Sequence, residues 1–176
     1  MNIGICTSAE NIKMVENMGF DYVESSVTGI VQLDHDEFDR IARQVDDSSI
    51  KCEAFNVLFP GHIKLTGPGV DIGEIQSYLE RAFDRITLLG AKVVVFGSGG
   101  SRRIPDGFNR EKAWNQLVEV ARTIGDVAGR YGIIIAVEPL NRAETNIINS
   151  VEEGLKFVRD VDHANIKITA DFYHMR

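Results

Sequence analysis

Four residues in the last quarter of the chain have side chains and spacings suited to chemistry. Glu138 closes the apolar run IIIAVE, and Glu144 follows six residues later within VEPLNRAE. Asp171 closes a second run in ADFYHM, and His174 lies three residues beyond it. A carboxylate at the C-terminal end of a parallel strand faces the opening where such sheets hold their ligands. If the two runs are neighbouring strands, Glu138 and Asp171 sit side by side and repel unless a cation or proton lies between them. His174 falls in the loop after the strand, where a neutral imidazole can bind a hydroxyl or a metal. Glu144 falls in the loop above the first strand end. Each has a plainer role when taken alone: a Glu that caps a loop or pairs with Arg142, a solvated loop acid, a packing histidine.

The elements that must position these residues follow one pattern. Gly19, Gly90 and Gly132 each end a helical stretch and are followed at once by a strand, as expected of glycine in a left-handed helix cap. Strands are predicted at Ile3 to Cys6, Tyr22 to Ser25, Cys52 to Leu58, Lys92 to Phe96, Ile133 to Val137 and Ile166 to Ala170. Their continuous apolar runs predict parallel strands covered on both faces. Between them, Phe38, Ile41, Ala42 and Val45 recur at helical spacing, as do Ile72, Ile75, Leu79, Ala82, Phe83, Ile86 and Leu89. A fourth helix spans about Asn109 to Tyr131, with Trp114, Leu117, Ala121, Ile124 and Ala128 on one stripe. Ser150 with Glu153 predicts a capping box opening a fifth helix. Uninterrupted β-α alternation means a doubly wound sheet or a (β/α) barrel. Six strands and five helices suit the first by length, since a closed barrel has eight of each over ~250 residues.

Composition narrows the function. The 176 residues are 44% hydrophobic and 26% charged, enough for one core and one domain. A formal charge of −7 speaks against nucleic acid as a partner, because phosphate backbones need clustered Lys and Arg. No run is long enough to cross a bilayer and no signal peptide opens the chain, so a soluble cytoplasmic protein with no membrane partner is expected. Cys6 and Cys52 lie in apolar segments without metal-type spacing, which predicts two reduced core thiols. GSGG at 97–100 lacks the G-x-G-x-x-G spacing and no helix is expected to start directly after it, so it is predicted to be a loop rather than a nucleotide site. Arg102 and Arg103 follow and offer a hold on a substrate phosphate or carboxylate.

Four motifs in order, FPGHIKLTGP, FGSGGSRRIPDGF, VEPLNRAE and ADFYHM, resemble the sugar phosphate isomerase/epimerase family of xylose isomerase-like barrels, nearest in pattern to ketose 3-epimerases. The resemblance runs from IGICT to FYHM and implies an α/β, (β/α)8 TIM-barrel type fold. It implies that Glu138 is both a metal ligand and the proton-transferring catalytic base, that Asp171 is the second ligand, and that Glu144 and His174 contact substrate oxygens. The implied cofactor is a divalent metal, manganese first, with magnesium or cobalt as alternatives; oxygen-rich ligands with one imidazole suit manganese or magnesium better than zinc. The implied reaction is isomerisation or epimerisation of a small sugar, a ketose or sugar phosphate, by proton transfer beside a carbonyl that the metal polarises.

The family's third ligand, a strand-seven histidine, and its fourth, a strand-eight glutamate, have no counterpart before Arg176. Residues 1–176 are therefore expected to form one barrel domain lacking strands seven and eight. His62 stands where the family often carries an acid, and is expected to be solvated. The alternative is a catalytically incompetent fragment that self-associates through an exposed strand edge, making the chain a homo-oligomer. A related endonuclease barrel uses several zinc ions and many histidines; four histidines and an acidic surface speak against it.

Overall fold

The computed structural model describes residues 1–175. Its six strands are β1 (Gly4–Cys6), β2 (Tyr22–Ser26), β3 (Lys51–Asn56), β4 (Val93–Phe96), β5 (Ile134–Val137) and β6 (Ile166–Ile168). Every neighbouring pair is parallel, and the spatial order is β1-β2-β3-β4-β5-β6. A doubly wound sheet reverses its order at a switch point, whereas a barrel wall adds each strand beside the last. Sequential order therefore decides the choice that length left open: these are six staves of a (β/α) barrel.

Five helical connections join the strands, as expected. The helices are α1 (Ile12–Asn17), α2 (Val27–Gln32), α3 (His35–Asp46), α4 (Ile72–Leu88), α5 (Gly99–Arg102), α6 (Arg110–Arg130) and α7 (Val151–Val161), with a 3-10 turn at Ala9–Asn11 before α1. The long ones start at side-chain caps. Asp71 accepts from the Glu74 amide at 3.0 Å and Asn109 from the Lys112 amide at 2.9 Å, each cap contributing about 1 kcal/mol. The three predicted glycine stops adopt φ of 83°, 98° and 68° at Gly19, Gly90 and Gly132. The core lies between helix stripes and the outer strand faces. Phe55, Val94, Phe96, Ile135 and Val137 are fully buried in one cluster with Leu79, Phe83, Leu117 and Ile124.

Several expectations are corrected. Only the outer strand face is sealed: Val93, Val95 and Ile134 on the inner face stay partly exposed, because that face looks into the barrel interior. Cys52 is a core thiol, but Cys6 is exposed, since the register pairing Cys6 with Glu24 turns it inward toward the opening. Ser150 caps α7 at 3.1 Å from the Glu153 amide, yet Glu153 returns to the amide of Asn149 rather than that of Ser150, so the box is displaced by one residue. The reciprocal box is at Asp34 and Glu37. A single helical turn, α5, does start inside GSGG.

Candidate functional site

The C-terminal ends of the strands converge on one cavity of about 490 Å³. Its lining includes Cys6 and Glu24 from β1 and β2, Glu138 after β5, and Asp171 and His174 after β6. Residues from β1 and β6 line the same opening, so the sheet is curved, and the strand-end carboxylates of Glu138 and Asp171 stand side by side on its wall.

Each side chain is set by local structure. Glu138 follows the last β5 ladder position; its amide donates to the Phe96 carbonyl at 3.2 Å, and Pro139 restricts it to an extended backbone. Its carboxylate rests over Gly97, where a Cβ would come within 2.6 Å of Oε2. Asp171 opens a tight turn: the Tyr173 amide donates to its Oδ1 at 2.8 Å and the His174 amide to its carbonyl at 3.1 Å. That turn explains the three-residue spacing, because it swings His174 back beside Asp171. Asn141 opens the turn that raises Glu144, whose amide donates to the Asn141 carbonyl at 3.2 Å while Asn141 Nδ2 donates to Glu144 Oε1 at 2.8 Å. Glu144 stays exposed at the rim.

Among the described residues, Glu138, Asp171 and His174 offer one ligand atom each, all within 4.8 Å of one another. Burial pushes the Glu138 carboxyl above its ordinary pKa; His174 pulls it back, and the Asp171 charge adds to the rise. A desolvated carboxylate beside a second one, backed by a glycine that leaves room for it, fits a cation-binding donor set.

His174 Nδ1 faces two donors, the Asn141 amide at 3.4 Å and Asn141 Nδ2 at 3.1 Å, and lies 3.6 Å from Glu144 Oε1. With Nδ1 accepting, Nε2–H is a donor; ligation of a metal through Nε2 requires the other tautomer and the loss of both bonds from Asn141.

Three features were not anticipated from sequence. Asn56 Nδ2 bridges Glu24 Oε1 at 2.9 Å and Cys6 Sγ at 3.1 Å, forming a polar rung across the far side of the cavity. Glu24 could have been found, since Val23 and Ser25 are its buried neighbours and strand alternation sends it inward. Val57, at the cavity edge, is held at φ 48°, a strained position for a β-branched residue. Arg102 is not available to a substrate phosphate: it is wholly buried and donates to backbone carbonyls, while Arg103 is exposed. His62 is exposed, and Arg142 is exposed as well.

Residues 12–176 match the family described as the xylose isomerase-like TIM barrel. The D-psicose 3-epimerase of Agrobacterium fabrum is 28% identical over 170 residues, covering 93% of this chain and 57% of that protein. The D-psicose 3-epimerase of Ruminiclostridium cellulolyticum is 42% identical over 62 residues, covering 35% of this chain and 21% of that protein. A crystal structure of D-psicose 3-epimerase in the presence of D-fructose superimposes with a TM-score of 0.82 at 23% identity, covering 99% of this chain and 64% of that one. The last likeness concerns the fold alone. The chain spans about half the length of the Agrobacterium relative.

Proposed function

The chain belongs to the family of xylose isomerase-like TIM barrels, and on that premise we propose that it carries the active-site wall of a divalent-metal-dependent sugar epimerase or isomerase. The observation that carries the reading is the convergence of Glu138, Asp171 and His174 from two neighbouring strand ends on one polar cavity. Glu138 and Asp171 would hold the metal, with His174 able to complete a three-atom set. Manganese, or magnesium or cobalt in its place, would supply Lewis-acid stabilisation of the negative charge that grows on a carbonyl oxygen.

The chain's own residues do the rest. Glu138 takes a proton from the carbon beside the carbonyl, and a positioned base is worth ~10²–10⁴ in rate. Glu144 and His174 bind sugar oxygens at the rim. Among the described residues the cavity lining contains Glu24, Glu138, Glu144 and Asp171 and no Lys or Arg, which favours an uncharged ketose over a sugar phosphate.

The test is exchange of the sugar C3 proton with D2O, followed by 1H NMR with Mn2+ and ketoses such as D-psicose or D-fructose. Exchange is expected with the native chain and absent in Glu138→Gln; full exchange in the variant would remove Glu138 from its role. A second reading rests on β1 and β6, each of which pairs on one side only among the described residues, with Ile3, Phe172 and Tyr173 exposed nearby. Pairing of these edges with another copy would make a homo-oligomer, and sedimentation of a monomer would exclude it.

A further inference from the structure

Among the described residues, Arg102 is the one charged side chain that is buried, with no exposed surface. Taking a guanidinium out of water is costly, and a fold that needed only packing there would be served by Leu or Met. Where its donors go shows what it does. Nη1 donates to the carbonyl of Phe96, the last residue of β4, at 3.0 Å, and Nη2 to the carbonyl of Glu138 at 2.7 Å. The Phe96 carbonyl also receives the Glu138 amide. That amide bond is the last between β4 and β5, so the Glu138 carbonyl, which faces the same side, lies one step past the ladder. Arg102 supplies the donor that the ladder no longer does.

The chain makes a detour to bring it there. Ser98 takes a left-handed φ of 40°, and the Ser101 and Arg102 amides both return to the Ser98 carbonyl, curling α5 back beneath the strand ends. The guanidinium then stacks 5.8 Å from the Phe96 ring centroid. Burial lowers its pKa to about 10, with Glu138 and Glu144 opposing the drop, so it stays charged at neutral pH.

We propose that Arg102 is a positioning residue for Glu138: its fork clamps the β4–β5 seam at the point where Glu138 leaves the sheet, and so fixes the direction in which that carboxylate enters the metal site. The role rests on the metal reading of Glu138 given above. It accounts for GSGGSR as a cradle with two parts, Gly97 making room for the carboxylate and Arg102 holding its backbone. Outer-shell groups that orient a ligand typically change metal affinity 10–100-fold when removed.

The test compares Arg102→Met and Arg102→Lys with the native chain by three measurements: Mn2+ titration by electron paramagnetic resonance, 13C relaxation of the Glu138 side chain without metal, and thermal melting. In Arg102→Met, Mn2+ affinity is expected to fall at least tenfold at a temperature where the variant is folded, and the Glu138 side chain to become more mobile. Arg102→Lys keeps the charge and one carbonyl contact, and is expected to recover part of both. A purely structural arginine would lower the melting temperature and leave the other two readings alone. A folded Arg102→Met with affinity within twofold of native and unchanged relaxation overturns the proposal. If Arg102→Met does not fold, Arg102→Lys decides, and native affinity in it is the overturning result. Absence of Mn2+ binding by the native chain would remove the metal reading instead; the relaxation data then decide whether Arg102 orders Glu138.

Discussion

Replacing Gly97 with alanine adds one methyl group directly beneath the carboxylate of Glu138. The new Cβ would stand 2.6 Å from Oε2, and ordinary contact begins at 3.4 Å, so the oxygen has to retreat by about 0.8 Å. Nothing but the far end of a flexible side chain blocks the methyl at that distance, and Gly97 is not among the glycines with positive φ, so the backbone can stay where it is. The folded state therefore loses little. Removing glycine's freedom from the unfolded chain contributes ~0.4–1 kcal/mol in the other direction, and the melting temperature should move by no more than about 2–4 °C. Metal binding has no such slack, because ligand distances hold to about ±0.2 Å. A displacement several times that tolerance is expected to weaken Mn2+ binding by about tenfold or more, within the range for a disturbed ligand shell. The assay is an Mn2+ titration beside a thermal melt, with Gly19→Ala as the opposite case. Gly19 sits at φ 83° with no atom near its Cβ position, so alanine there should cost ~1–2 kcal/mol of stability and leave Mn2+ affinity alone. Native affinity in Gly97→Ala would refute the assignment of the metal to the Glu138 carboxylate.

The two thiols should separate by burial. Cys52 is sealed in the core with its pKa pushed up to about 12, mainly by desolvation, whereas Cys6 is exposed at the cavity. A thiol reagent is expected to label one cysteine in the native chain and both in guanidinium; two fast native thiols would contradict the packing of β3. Glu16 gives a pH signature, since the Ser49 hydroxyl and amide hold its carboxyl down to about 2 from an ordinary 4.5. Its folded pKa is depressed, so its contribution is complete above about pH 4.5 and disappears as the pH falls toward 2. The stability gap between native and Glu16→Gln chains should accordingly be widest at neutral pH and close on acidification, and a gap independent of pH would show that the bond to Ser49 does not persist in solution.

The alternation of elements was legible because each signal is local: glycines that only a left-handed cap requires, and apolar spacing that distinguishes 2.0 from 3.6. Glu138 and Asp171 were legible for a related reason, since a strand end in a parallel sheet has one direction to face. What escaped depends on backbone geometry rather than on spacing. Cys6 looks apolar among Gly4 and Ile5, and only its register with Glu24 turns it toward the cavity. Arg102 and Arg103 are equivalent as a sequence pair, yet the left-handed step at Ser98 sends one beneath the sheet and leaves the other in solvent. Ser150 and Glu153 satisfy the capping pattern, but the loop from Asn141 to Asn149 presents the Asn149 amide to Glu153 instead. For Cys6 the deciding backbone comes from a neighbouring strand; for Arg102 and Glu153 it is a local choice of dihedral angles that residue spacing alone does not encode.

The charge distribution at the strand ends ties these observations together. Glu24, Glu138, Glu144 and Asp171 line a single cavity, and desolvation of Glu138 raises the cost of keeping it ionised. Arg102 offsets that charge only from a distance and makes no ion pair with the carboxylate, because its two terminal nitrogens donate to main-chain carbonyls. It secures the backbone and leaves the carboxylate oxygens unpaired toward the opening. An ion pair there would have occupied the lone pairs that a ligand set needs. Glu138 thus has a backbone held by a buried cation and a carboxylate free of any ion pair, the division that the proposed role as metal ligand and base requires.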